Sequence, residues 1–274
     1  MGSMITVLIT FYNPGRYIID ALNSIFNQTY SDWKILLVDD ASTDNSSDLI
    51  QSYLQDPRVT LIRHSANQGH AKSLNTGLQQ INTPFFVQLD ADDWFYPDTL
   101  QALMREAVQQ PQDVAVLSGN INFSFEDALG NVTQSIIRKG RSFSDPYDFI
   151  QANSSVWPRC YRTSILKEIG GWPTDIPYDG RYVEDMSILL RLIVNYRFHW
   201  IDELMLYHRR HQTNNTNDKT EIAITLRWII EETLKSWGDI YKPVFHYDNG
   251  YISLAGLQYN SSNYNTPPGS HVLF

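Results

Sequence analysis

Phe85-Phe86-Val87-Gln88-Leu89-Asp90-Ala91-Asp92-Asp93 is an apolar run that stops abruptly in three carboxylates. Phe85–Leu89 reads as a strand covered on both faces, the usual meaning of a short apolar run bounded by polar turns. The acidic cluster Asp90–Asp93 then sits at the carboxyl end of that strand. Unpaired, its charges repel one another. A hard divalent cation, Mn2+ or Mg2+, removes the repulsion, and such ions take one or two carboxylates together with phosphate oxygens. The plain alternative is a solvated Asp-rich turn whose Asp93 caps the following helix.

Working outward, Ile5–Ile9, Lys34–Val38 and Val59–Ile62 repeat the pattern of short β-branched and apolar runs. Between them lie stripes at helical spacing: Ile18, Ala21, Leu22, Ile25 and Phe26, then Leu49, Ile50, Tyr53 and Leu54, then Ala71, Leu74, Leu78 and Ile81. Leu100, Leu103, Met104, Ala107 and Val108 mark a fourth helix. Strand–helix alternation of this kind predicts an α/β fold, a doubly wound, mostly parallel sheet with helices on both faces. Ligands of such sheets bind at the carboxyl ends of the strands. Three polar clusters fall there: Thr10-Phe11-Tyr12-Asn13, Asp39-Asp40 and Asp90–Asp93.

The rhythm changes after Val114. Val114–Leu117, Ile121–Phe125 and Val132–Ile137 read as strands, Glu184–Val194 and Ile222–Trp237 as helices, and Asn260–Pro268 as a polar, weakly ordered tail. The formal charge of −9, from 21 basic and 30 acidic residues, leaves no basic face for nucleic acid. Cys160 is alone, so no internal disulfide forms, which fits a cytoplasmic setting. No stretch approaches the roughly 20 apolar residues of a transmembrane helix. The expected location is the cytoplasm, including the inner face of the membrane through peripheral association; a homodimer is also compatible.

In order and spacing, several segments resemble the family 2 glycosyltransferases of GT-A fold. They are Ile5–Asn13, Ser24–Tyr30, Val38–Asp44, Asn67-Gln68-Gly69, Asn75-Thr76-Gly77 and Leu89–Asp93 with Pro97-Asp98. Gly170-Gly171-Trp172, Glu184-Asp185 and Tyr207–His211 match weaker family features, so the resemblance covers about residues 4–215. It implies a nucleotide-sugar-binding half (4–118), an acceptor and catalytic-base half (119–215) of the same domain, and a C-terminal helical extension with a polar tail (216–274).

The resemblance also implies roles. Thr10, Tyr12 and Asp40 would contact the nucleoside, with Phe11, Asn13 and Asn67 on the same rim and Asp39 supporting the loop. Asp90 and its neighbour Ala91 would face the ribose or sugar, and Asp92 would be the principal metal ligand. Asp185, beside Glu184, would be the base of an inverting transfer from a nucleoside diphosphate sugar, UDP foremost, to a carbohydrate, lipid-linked or other hydroxyl acceptor. His211 would complete the metal–diphosphate site, with His208 three residues away as its competitor. Where many relatives carry an arginine before the asparagine of the third helix, Leu74 precedes Asn75, leaving Lys72 as the cation on that helix.

Two rival readings share the fold. A nucleotidyltransferase needs a glycine-rich basic loop after the first strand, and Asn13-Pro14-Gly15-Arg16 is a poor one. A non-catalytic nucleotide-sugar or carbohydrate binder would keep the core motifs without needing Asp185. For the acceptor, Trp157, Trp172, Trp200, Tyr178 and Tyr182 are aromatic platforms or packing, and Arg138-Lys139-Gly140-Arg141 faces an anion or plain solvent.

Overall fold

The computed structural model describes residues 4–127, 129–211 and 218–261. Its first half runs β1 (Ile5–Phe11), α1 (Tyr17–Phe26), β2 (Trp33–Asp39), α2 (Ser46–Leu49), β3 (Val59–Arg63), α3 (His70–Gln80), β4 (Phe85–Gln88), β5 (Trp94–Phe95) and α4 (Thr99–Ala107). The second half runs β6 (Val114–Glu126), β7 (Val132–Arg138), α5 (Pro146–Gln151), β8 (Arg159–Arg162), α6 (Thr163–Glu168), α7 (Glu184–Leu192), β9 (Arg197–Arg210), α8 (Lys219–Ser236), β10 (Tyr241–Asp248) and β11 (Tyr251–Tyr259).

Among the described residues one large sheet has the order β3-β2-β1-β4-β8-β6-β9-β5, with β7 paired to β6. The β3-β2-β1-β4 part is parallel throughout, as the alternation of runs and stripes predicts. Side chains alternate across a strand, and β1 shows the result. Ile5, Val7 and Ile9 join the core under α1 and α4, while Leu8 joins the opposite core under α3 and α7. Because β1 is buried along its whole length, it reads as a continuous apolar run.

Three expectations change. The stripe at Leu49–Leu54 is not one helix: α2 ends at Leu49, and a separate 3-10 turn spans Tyr53–Gln55. Only Ile50 of that stripe is fully buried, so one apolar anchor holds the segment. The strands at 114–117 and 121–125 are a single β6, since Ser118 and Asn120 are buried within it. Asn120 is satisfied there by Asp202 at 2.7 Å, Trp200 at 3.0 Å and the Gly140 amide at 3.0 Å. Asn260 is buried rather than loose, its amide donating to Asp239; residues 262–268 lie outside the described part.

The C-terminal segment covers α7. Ile229, Ile230 and Leu234 of α8 and Leu254 of β11 enter the same core as Ile188, Leu189 and Leu192. Among the described residues no helix is long and apolar enough to cross a membrane.

Candidate functional site

The carboxyl ends of β1, β2 and β4 form one edge. Thr10 and Phe11 are buried in β1, and Tyr12 beyond them is half-exposed. Asn13 takes a left-handed backbone (φ 52°). Its Oδ1 accepts the amides of Thr43 at 2.7 Å and Asp44 at 3.1 Å, tying the loop after β1 to the loop after β2. The Gly15 amide donates to Asp44 at 2.9 Å and closes the same seam.

Asp39 and Asp40 are both buried. Asp39 accepts the Ser42 amide at 2.8 Å, with Arg63 at 3.8 Å. Asp40 has both oxygens engaged within the protein. Its Oδ1 meets His64 Nδ1 and the Gln68 amide, each at 2.8 Å, and its Oδ2 accepts the Gly69 amide at 2.8 Å. Asp40 thus fastens the loop that enters α3, and the outward face of this rim belongs to Tyr12. Asn67 accepts Arg181 Nη1 at 2.5 Å. Lys72 stands on the exposed side of α3, 3.6 Å from Asp179.

The acidic cluster divides by environment. Asp90 accepts Gln88 Nε2 at 3.1 Å and lies 3.5 Å from Arg159 Nη2. Burial works to raise its pKa, but Arg159, His70 and His208 hold it below the ordinary carboxylate value. Ala91 is buried beneath it. Asp92 Oδ2 lies 3.0 Å from His211 Nε2, and the His211 ring packs 4.6 Å from Tyr17. Asp93 is not the helix cap; Asp98 occupies that position before α4. Asp93 is instead buried, with Oδ2 2.8 Å from His208 Nδ1 and Oδ1 accepting the Arg209 amide at 2.8 Å. Burial pushes its carboxyl up to about 6 against the pull of His208. His211 therefore stands beside Asp92, and His208 beside Asp93.

Arg209 organises this corner. Its Nε donates to the Asp92 carbonyl at 2.7 Å, and its other nitrogens reach Glu126 and Asp20 at 2.6 Å each. Its guanidinium lies over the rings of Trp94 at 4.5 Å and Tyr17 at 4.6 Å. Glu184 and Asp185 begin α7. Glu184 is buried, which raises its pKa, and lies 3.5 Å from His70 Nδ1. Asp185 Oδ1 accepts the Met186 amide at 2.8 Å, and Oδ2 lies 3.3 Å from Arg159 Nη1. Arg159, at the start of β8, accordingly spans Asp90 and Asp185, joining the acidic turn after β4 to the first turn of α7.

Sequence reasoning singled out neither Arg159 nor Arg209. The only signal for Arg159 is its place in Arg159-Cys160-Tyr161-Arg162, a four-residue strand with an arginine at each end. Of the aromatic platforms, Trp172 is core, packed on Phe86 and Tyr161. Trp200 donates to Asn120 at 3.0 Å and Tyr182 to Asp218 at 2.9 Å, while Tyr178 stays half-exposed.

Among the described residues no group of three or more His, Cys, Asp or Glu side chains is placed to hold a metal. Asp92 and His211 fit a smaller share of a coordination shell. They bring a carboxylate oxygen and an imidazole nitrogen to within 3.0 Å of each other, donor types that Mn2+ accepts. The other positions would fall to phosphate oxygens and water.

The chain belongs to glycosyl transferase family 2, which its residues 6–170 match. It is similar to glycosyltransferase GlyA of Streptococcus pneumoniae, 30% identical over 61% of this chain and 23% of that protein. The uncharacterized glycosyltransferase YibD of Escherichia coli is 28% identical over 91% of this chain and 77% of its own length. The chain spans less than half the length of the pneumococcal relatives GlyA and GlyG, 23% and 43%. Among solved structures, S. aureus TarS 1-349 in complex with UDP-GlcNAc superposes with a TM-score of 0.66 at 22% identity, over 85% of this chain and 67% of that one. The mannosyltransferase PcManGT from Pyrobaculum calidifontis, in complex with GDP-Man and Mn2+, gives 0.63 at 20% identity over 86% and 65%. These likenesses establish the GT-A fold.

Proposed function

We propose that this chain is an inverting glycosyltransferase that moves a hexose-type sugar from a nucleoside diphosphate, UDP foremost, to an acceptor hydroxyl, with Mn2+ or Mg2+ as cofactor. The observation that carries the reading is the Arg159 bridge, 3.5 Å from Asp90 and 3.3 Å from Asp185. It holds the Asp185 carboxylate beside the acidic turn expected to meet the donor. The family membership and the nucleotide-sugar complexes of the TarS and PcManGT structures support the same donor class.

In this mechanism Tyr12 and the seam between the loops after β1 and β2 receive the nucleoside, and Asp90 orients the sugar. Asp185 takes the proton of the acceptor hydroxyl as its oxygen bonds to sugar C1. The bond from C1 to the diphosphate breaks, and the nucleoside diphosphate leaves with the electron pair. A bound divalent ion supplies charge stabilisation of that leaving group; Asp92 and His211 are the residues that would hold it. Arg209, bonded to the Asp92 carbonyl and clamped between two rings, fixes the turn from which Asp92 projects.

The test is a thermal-shift panel of UDP-, GDP- and dTDP-sugars with and without Mn2+, since a ligand of the native state raises its apparent stability. Asp92→Ala should abolish the metal-dependent shift and nearly all turnover. Asp185→Asn should keep donor binding and lose transfer. Full activity of Asp185→Asn would place the base elsewhere, and no metal-dependent shift with any donor would favour a non-catalytic binder.

A further inference from the structure

Beside the proposed transfer site lies a groove of about 150 Å³ that no assigned role uses. Arg138, Lys139, Arg141, Trp157, Ser155 and Gly119 are among the residues that line it. Among the described residues no carboxylate lines it, although the chain carries a formal charge of −9. Lys139 pairs with Asp202 at 3.1 Å and Arg141 with Asp148 at 2.6 Å. Arg138 is exposed, its guanidinium 6.0 Å from the Trp157 ring centroid. Ser155, another lining residue, has its hydroxyl buried without a hydrogen-bond partner.

The groove adjoins the proposed transfer site through Trp157. The Trp157 ring stacks 5.8 Å from His208, the partner of Asp93, and the Trp157 carbonyl is held by the Gly119 amide at 2.8 Å. Two residues along the chain is Arg159, which holds Asp185 at 3.3 Å.

We infer that this groove is an acceptor subsite for a phosphate ester carried by the molecule that brings the attacking hydroxyl. The inference rests on the reading of Asp185 as the base. A guanidinium is the side chain best matched to phosphate oxygens, the Ser155 hydroxyl adds a donor, and the Trp157 face covers the carbon backbone of the acceptor.

The probes are glycerol 3-phosphate, glycerol as its neutral counterpart, and vesicles rich in phosphatidylglycerol against phosphatidylcholine vesicles, each added to the full chain in the presence of UDP and Mn2+. Glycerol 3-phosphate should bind, glycerol should not, and added salt should weaken the binding. Arg138→Gln should weaken it about tenfold, the scale of one charge-assisted hydrogen bond, with the UDP thermal shift unchanged. Asp185→Asn should leave phosphate binding intact while abolishing transfer, so a wrong base and a wrong groove give different results. Binding to the anionic vesicles as well marks a lipid headgroup as the source of the phosphate, and binding to glycerol 3-phosphate alone marks a soluble acceptor; both uphold the site. Equal binding of glycerol and glycerol 3-phosphate, or full phosphate binding by Arg138→Gln, overturns it.

Discussion

Arg159→Met removes the guanidinium that bridges Asp90 and Asp185. The guanidinium is 4% exposed and lies 3.5 Å and 3.3 Å from the two carboxylates. At such distances and an effective dielectric of about 20, each attraction is about 5 kcal/mol before the guanidinium's own desolvation offsets much of it. Removing one member of a buried ion network costs about 3–5 kcal/mol. The two carboxylate side chains keep 29% and 22% exposure, so water can reach them, and the lower end applies: about 3 kcal/mol. For a chain of this size that is a fall in Tm of about 6–12 °C.

Thermal unfolding followed by circular dichroism at neutral pH measures that fall, and turnover at saturating donor measures the misplacement of Asp185. Arg159→Lys keeps the charge without the fork and should recover part of the stability. Adding Asp185→Asn to Arg159→Met should return about 1 kcal/mol, because groups in contact are not additive. A Tm within roughly 2 °C of the parent chain, with unchanged turnover, would refute the claim that Arg159 holds the two halves of the site together.

Two further outcomes follow from local geometry. Gly69→Ala puts a side chain where φ is +94° and a Cβ would stand 2.9 Å from Arg181 Cγ, loosening the amide that Asp40 accepts. The expected loss in a urea melt is about 1–3 kcal/mol, with a smaller UDP thermal shift; unchanged stability would contradict the role given to Asp40. Asp148 is held down to about 2, chiefly by hydrogen bonds from Arg141. A depressed folded-state pKa stabilises above the unfolded value near 4, and that stability is lost as pH falls towards 2. With Arg141 half in solvent, screening leaves about 1 kcal/mol. Asp148→Asn should cost that much at pH 7 and converge with the parent chain near pH 2, as read by denaturant unfolding across pH; a constant gap would exclude the ion pair as its source.

The parallel half of the sheet was legible because its strands are buried on both faces, so Ile5–Ile9 and Lys34–Val38 show as apolar runs with polar ends. The second half was less so, for physical reasons. β9 carries Arg197, His199, Asp202, Glu203, His208, Arg209 and Arg210, charges that partners elsewhere in the chain satisfy; no local pattern announces such a strand. β8 buries two arginines, the residue type least expected in an interior. The acidic turn was readable as a cluster, but not its division of labour: Asp93 looked like a cap because its real partner, His208, is 115 residues away. Asp40 looked like a ligand contact, and the three donors that surround it come from the loop after β3, which only the fold brings near.

The seam between the loops after β1 and β2 has a thermodynamic consequence. Asn13 and Asp44 bind those loops to each other through protein atoms alone, so on the proposed reading the nucleoside end of the cleft is braced without help from the donor. A ligand entering a rim already in shape avoids the ordering entropy that a collapsing loop would charge against its affinity. Calorimetry of UDP binding should then show a heat-capacity change no larger than the apolar area covered by the base itself. The left-handed turn at Asn13 (φ 52°) is one that asparagine adopts at little cost, so that rigidity is cheap.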